Sequence, residues 1–259
     1  MHVQANGITF NCEIDGPRGA PWLIFSNSLA TNLSMWEEQA RVLSARFQTL
    51  RYDQRGHGKT DVPEGRYAFA TLLADVIALM DALDIGRAHF CGLSLGGATA
   101  LGLAEQHPGR IDRAIVCDSP CASTPASAKQ WEERIAVAKA SGMGALVEPT
   151  LQRWFPPDVY GANSPAVAKV REMVKSTPVN GFIGCCAALG DHNFRSAVAS
   201  VSRPVLFIAG EKDPPNAAMR EMNKELVGSR FVEIAGAGHI SNMEQPVAFT
   251  GALEKFLNT

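Results

Sequence analysis

The chain has 259 residues, 46% hydrophobic and 19% charged, with 24 Lys plus Arg against 26 Asp plus Glu and a formal net charge of −2. This is the composition of a folded, enzyme-like chain and excludes a disordered or fibrous one. Without a basic excess or a block of like charges, nucleic acid is not an expected partner. No apolar run reaches membrane-spanning length, and Met1-His2-Val3-Gln4-Ala5-Asn6-Gly7 lacks the basic-then-apolar build of a signal peptide. The six cysteines have no zinc-site spacing, and several lie in apolar runs as reduced thiols do, so a cytoplasmic setting is expected.

In chain order, Val3 to Asp15 alternates loosely around Asn6-Gly7 and predicts an opening hairpin. Pro21 to Ser26 is a continuous apolar run, the pattern of a strand covered on both faces. It leads into the polar loop Asn27-Ser28-Leu29-Ala30-Thr31-Asn32. A helix from Trp36 to Leu43, a strand from Phe47 to Tyr52 and the glycine-rich turn Asp53-Gln54-Arg55-Gly56-His57-Gly58 follow. Leu72, Leu73, Val76, Leu79, Met80 and Leu83 fall at helical spacing. Next come the strand Ala88-His89-Phe90-Cys91, the turn Gly92-Leu93-Ser94-Leu95-Gly96, a helix ending near His107-Pro108, and the strand Ala114 to Asp118.

From about Ser119 to Ala199 the strand pattern stops, and short helical patterns are broken by Pro125, Pro149, Pro156-Pro157, Pro165 and Pro178. Strands resume at Pro204 to Gly210, followed by Glu211-Lys212-Asp213, and at Arg230 to Ile234, followed by Gly236-Ala237-Gly238-His239; Pro246 to Leu257 closes as a helix. This alternation predicts an α/β fold, a mostly parallel central sheet with helices on both faces. Residues 1–118 and 200–259 are the expected core and 119–199 a helical cap, or lid, over the strand ends. In such sheets the chemistry gathers outside the carboxyl ends of the strands.

Gly92-x-Ser94-x-Gly96 between a strand and a helix suits a turn sharp enough to strain its central residue. A serine hydroxyl there is a candidate nucleophile, and it needs a base held by a carboxylate. Of six histidines only His239 follows the final strand in a small-residue loop, a structural histidine being the alternative. Asp213 and Asp118 both end strands and both could orient His239; the chain order Ser94, Asp213, His239 favours Asp213. Asp118 would otherwise be a solvated or capping carboxylate. Leu95 supplies one backbone donor for an oxyanion, and Ser28 is expected to supply the second, with Leu29 one position away as the alternative. Within the lid, Trp131 and Trp154 are expected as apolar walls. Arg134, three residues from Trp131, ranks above Arg153 as a lid cation of the site; the alternative for each arginine is a solvated helix face. No metal or cofactor motif is present.

With these residues in place the chain resembles α/β-hydrolases over its whole length, and more narrowly the 3-oxoadipate enol-lactonases of aromatic-acid catabolism. The resemblance rests on Phe25-Ser26-Asn27-Ser28-Leu29 with Met35-Trp36, on Asp53 to Gly58, and on Gly92 to Gly97. It continues through Arg153-Trp154-Phe155, Cys185 to Leu189 and His239 to Pro246. It implies the α/β-hydrolase fold, hydrolysis of a small carboxylated lactone or ester without a cofactor, and a Ser94–Asp213–His239 triad. The chain departs from the family at Pro214-Pro215-Asn216-Ala217-Ala218, at Asp118-Ser119-Pro120-Cys121, where a more neutral turn is usual, and at Leu189-Gly190-Asp191-His192. Other esters, amides, acyl-homoserine lactones, C–C bond cleavage and a ligand receptor on the same fold stay open as rivals. Oligomeric state has no signature in the sequence.

Overall fold

A computed structural model describes residues 1–258. The opening hairpin is β1 (His2–Ala5) and β2 (Ile8–Asp15); positive φ at Asn6 and Gly7 allows the tight turn between them. Then come β3 (Trp22–Ser26), α1 (Glu37–Leu43), β4 (Gln48–Tyr52), α2 (Phe69–Ala82), β5 (Ala88–Leu93), α3 (Leu95–Gln106) and β6 (Ile111–Cys117). Helices α4 (Pro125–Ser141), α5 (Val147–Trp154), α6 (Pro157–Gly161), α7 (Pro165–Ser176), α8 (Val179–Asp191) and α9 (Arg195–Ser200) fill the interval before β7 (Val205–Gly210). The chain ends with α10 (Asn216–Glu225), β8 (Arg230–Ile234), α11 (Ser241–Glu244) and α12 (Pro246–Leu257).

The strands form one sheet in the order β1-β2-β4-β3-β5-β6-β7-β8, antiparallel at the hairpin edge and parallel from β4 to β8. This is an α/β-hydrolase fold. Successive strands leave β3 on opposite sides, β4 on one and β5 on the other, so the switch point of the sheet lies at the ends of β3 and β5. The register brings those ends level: Ser26 pairs with Gly92, Leu93 with Cys117, and Cys117 with Ile208. The loops that carry Leu29, Ser94, Asp118, Asp213 and His239 therefore leave one edge together.

Burial explains the unbroken apolar runs. Every residue of β5 and of β7 is buried, because helices cover both faces. Helix α3 is buried from Leu95 to Ala104, and its small residues permit close packing; Gly102 lies so near the Phe194 ring that a Cβ would come within 2.8 Å of it. Trp36 stacks on Phe25 with ring centres 5.0 Å apart and meets Phe249 of α12 on its other side.

Helices α10 and α11 have no counterpart among the sequence-based expectations. In α10 the buried side chains are Asn216, Met219 and Met222 on an otherwise polar helix, too thin an apolar stripe to stand out. Helix α11 has only four residues. Among the described residues no helix is long and apolar enough to cross a membrane.

Candidate active site

Ser94 joins β5 to α3 with φ 57° and ψ −110°, a conformation that costs a non-glycine residue on the order of 1–3 kcal/mol. The surrounding backbone holds it there. Its amide donates to the Cys117 carbonyl of β6 at 2.8 Å, and the Gly96 amide donates to the Asn27 carbonyl at 3.0 Å. The flanking glycines have no room to be anything else. A Cβ on Gly92 would run into the Gly96 carbonyl, and one on Gly96 into the Ser26 carbonyl. Ser94 is partly open to solvent, whereas the residues on either side of it are buried.

The loop after β3 is fixed from below. Asn27 donates its side-chain amide to the Tyr52 carbonyl at 2.9 Å, and the Gln54 side chain donates to the Asn27 carbonyl. The Ala30 amide donates to His57 Nε2 at 3.0 Å, and His57 Nδ1 lies 3.1 Å from the Arg55 carbonyl. The two contacts require a neutral ring with its proton on Nδ1. Burial lowers the His57 pKa in the same direction. His57 thus shapes the loop rather than entering the cavity.

This loop corrects one expectation. The Ser28 amide donates to the Met35 sulfur at 3.4 Å, so it is turned away from the role expected of it. Leu29 lines the cavity beside Ser94. Among the described residues the amides of Leu29 and Leu95 have no hydrogen-bond partner; Leu95, as the first residue of α3, has no acceptor within its own helix. The pair of candidate oxyanion donors is therefore Leu29 and Leu95.

His239, in the loop after β8, faces the same cavity. Its Nδ1 lies 3.0 and 3.1 Å from the two Asp213 oxygens, which places its proton toward Asp213 and leaves Nε2 as an acceptor. Asp213, in the turn after β7, is 4% exposed. The His239 amide donates to the Trp154 carbonyl at 2.7 Å, and the Trp154 ring lies 5.5 Å from the imidazole. Glu244 closes this loop by accepting from the amides of Gly238 and Ile240. Burial raises its pKa to about 7.

Asp118 is not the solvated carboxylate given as its alternative. It is fully buried with φ 49°. One oxygen accepts from the Gly210 amide at 2.8 Å and the other from the Ser241 hydroxyl.

The helices between β6 and β7 wall the cavity with Trp131, Trp154, Arg153 and His192. Arg134 is not among the lining residues. Its side chain lies over the rings of Trp131 and Phe182, 5.8 and 5.7 Å from their centres, and donates to the Thr150 hydroxyl at 2.6 Å. Burial lowers its pKa. Arg153, ranked second from sequence, reaches Trp131 from α5 at 5.7 Å and borders the cavity. His192, left in the lid by sequence reasoning, also lines it, with Nδ1 2.8 Å from the Leu189 carbonyl. Spacing along the chain carried no signal for either placement. The cavity holds about 100 Å³, well below the roughly 300 Å³ at which pockets for drug-sized ligands begin.

Comparison with known proteins agrees with this fold. Residues 21–160 match the alpha/beta hydrolase fold family. The chain is 36% identical over 253 residues to 3-oxoadipate enol-lactonase 2 of Acinetobacter baylyi, covering 97% of this chain and 94% of that protein. It is 35% identical to enol-lactonase 1 of the same organism, covering 100% and 97%. The crystal structure of the enol-lactonase from Burkholderia xenovorans LB400 superposes with a TM-score of 0.96 at 38% identity, covering both chains fully. This chain is a hydrolase that belongs to the alpha/beta hydrolase fold family, and it resembles 3-oxoadipate enol-lactonases over nearly its whole length.

Proposed function

We propose that the protein is a serine hydrolase that opens a small carboxylated enol-lactone of the 3-oxoadipate type through an acyl-enzyme. The observation that supports this reading is that Ser94, Leu29 and His239 line one small cavity, with Asp213 behind His239 and the unpartnered Leu95 amide next to Ser94 in the chain. His239 Nε2 takes the Ser94 proton as the oxygen attacks the lactone carbonyl, and Asp213 stabilises the imidazolium without taking its proton. The Leu29 and Leu95 amides hold the oxyanion, a contact that strengthens as charge develops. Collapse expels the enol oxygen, which takes the proton from His239 and tautomerises to a ketone, so the ring opening is driven forward. Water deprotonated by His239 then releases the acyl group as a carboxylate and restores Ser94.

The helices of residues 119–199 act in this reading as the lid that chooses the substrate. Trp131 and Trp154 flank the ring, and Arg153 at the cavity mouth attracts the substrate carboxylate. The small cavity favours a compact lactone over a long acyl chain.

The test is turnover by purified protein on 3-oxoadipate enol-lactone, p-nitrophenyl acetate and a long-chain acyl-homoserine lactone. The expected order of kcat/KM has the enol-lactone first by at least a hundredfold. Equal rates on the acetate ester would replace this substrate with simple esters. Hydrolysis of none of the three, with tight binding of one, would point to a receptor on the same fold.

A further inference from the structure

Met35 lies in the short helical turn Leu33–Trp36 and is buried. Two loops of the site grip it from different sides. Its sulfur accepts from the Ser28 amide at 3.4 Å and lies 3.1 Å from the Thr31 hydroxyl. Among the described residues the Ser28 amide has no other acceptor. The Met35 backbone carbonyl accepts from the Asn242 side-chain amide at 2.8 Å. Asn242 belongs to α11, three residues after His239, and its own carbonyl accepts from the Gln39 side chain of α1 at 3.0 Å. Ser28, Thr31, Met35, Gln39 and Asn242 are all buried, so bulk water does not stand in for a lost partner. The turn is fixed in its own right, since the Leu33 amide donates to Asp53 at 2.7 Å and Trp36 stacks on Phe25. A buried path therefore runs from the His239 loop through Met35 to the Leu29 loop. Ser28, Met35 and Asn242 do not themselves line the cavity.

We propose that Met35 is a positioning residue that keeps the Leu29 amide in register with the His239 imidazole. Its sulfur occupies the Ser28 amide and leaves the next one, that of Leu29, for the cavity. Asn242 holds the same residue by its carbonyl and so ties the sulfur to the His239 loop. A thioether is a weak acceptor, but a buried N–H with no acceptor at all is costly enough to move the chain around it. Without the sulfur the Ser28 amide turns to find another partner, and Leu29 shifts with it. The inference rests on the proposed roles of Ser94, His239 and Leu29. It gives Met35 and Asn242 no contact with substrate.

The test compares Met35→Leu, Asn242→Ala, the double variant and Ser94→Ala with the native protein, after circular dichroism has checked folding. Leucine nearly keeps the buried volume and removes the acceptor. The readouts are kcat/KM on p-nitrophenyl acetate and the inhibition constant of butylboronic acid. Its boron takes the Ser94 oxygen while the serine proton passes to His239, which leaves an anionic tetrahedral adduct with a boron-bound oxygen at the candidate amides. Each single variant is expected to lower kcat/KM by roughly tenfold and to weaken butylboronic acid by the same factor, as when reacting groups lose alignment. The double variant should lose about tenfold rather than a hundredfold, because both changes cut one path. A loss of roughly a hundredfold in the double variant, or kcat/KM within about twofold of native in either single variant, overturns the proposal. A loss of kcat/KM with unchanged boronate affinity overturns it as well. If Ser94→Ala keeps its turnover and its boronate affinity, the reading of the site itself fails and the proposal with it. An inactive Ser94→Ala beside a native-like Met35→Leu removes the proposal alone. If the variants do not fold, amide resonances of the isotope-labelled native protein decide. On addition of butylboronic acid the Leu29 and Leu95 amides are expected to move furthest downfield, and a larger shift at Ser28 overturns the proposal.

Discussion

The strand-end loops and the helices between β6 and β7 build the two halves of one cavity by different means. At the strand ends the groups are fixed by hydrogen bonds, many of them to or from backbone. Ser94 is clamped through amides to β6 and the β3 loop, and the Leu29 loop is shaped by Tyr52, Gln54 and His57. In the helical half the polar groups also lie against aromatic rings. Arg134 and Arg153 lie over the Trp131 ring, and His192 lies 5.4 Å from Phe69. Backbone clamps confine a group to one geometry, whereas side chains on aromatic faces can be exchanged without refolding the sheet. Under the proposed function, chemistry belongs to the first region and selection to the second.

Five substitutions would break or sharpen that contrast. The largest effect is expected from Ser94→Ala, which should lower kcat by roughly 10⁴- to 10⁶-fold while the melting temperature stays near native. Turnover and differential scanning calorimetry on the same sample check it, and substantial residual rate would remove the serine from the scheme. Gly92→Ala attacks the backbone clamp itself. Its Cβ meets the Gly96 carbonyl, which cannot swing aside, so about 3 kcal/mol of stability should be lost. This corresponds to a fall in Tm of roughly 6 °C or more; an unchanged Tm would mean the turn is looser than described.

Glu244 offers a pH-dependent check of the His239 loop. Its carboxyl is raised to about 7 in the folded protein from 4.5, so the folded state binds the proton more tightly than the unfolded one. Stability from this group is present below the unfolded value and is lost as the pH rises through about 7. Chemical denaturation of Glu244→Gln between pH 4.5 and 8 should show a flatter profile than the native protein, by at most about 3 kcal/mol. Parallel profiles would assign the pH dependence elsewhere. The smallest expected effect compares the arginines of α4 and α5. Arg153→Ala should raise KM for an anionic lactone about tenfold, near 1.4 kcal/mol. Arg134→Ala should leave KM unchanged and lower stability, since its contacts are with Trp131, Phe182 and Thr150. The reverse pattern would return Arg134 to the cavity.

The same contrast decides what could be read from the chain. Gly92-x-Ser94-x-Gly96 was legible because the constraint is local: the steric demand on each glycine comes from residues within a few positions or on the adjoining strand. The pairing of His239 with Asp213 was legible through strand ends, since a parallel sheet brings its carboxyl edges level. Ser28 against Leu29 was not. The choice turns on which amide the Met35 sulfur occupies, seven residues away. Arg134 and Trp131 do meet, as their spacing on α4 suggests, but Arg153 approaches the same ring from α5 and takes the cavity side. Contact between helices leaves no trace in the spacing of either one. The fate of Asp118 was hidden likewise, because Ser241 and Gly210 lie 123 and 92 residues further along the chain.

The bond from the His239 amide to the Trp154 carbonyl gives the helical half a second role. Gly238 lies so close to that carbonyl that no Cβ could be added there, and α5 ends at Trp154. At the other end, Phe194 donates to the Cys121 carbonyl at 2.7 Å and Ser123 to the His192 carbonyl at 2.9 Å, closing the neck where the segment leaves and rejoins the sheet. The segment is thus sewn at its neck and buttoned in its middle to the loop that carries His239. Grafting the whole segment from a relative would carry the end of α5 with it and disturb the imidazole. If the helical half selects the substrate as proposed, changing specificity means rewriting α4 and the end of α8 around a fixed α5, face by face.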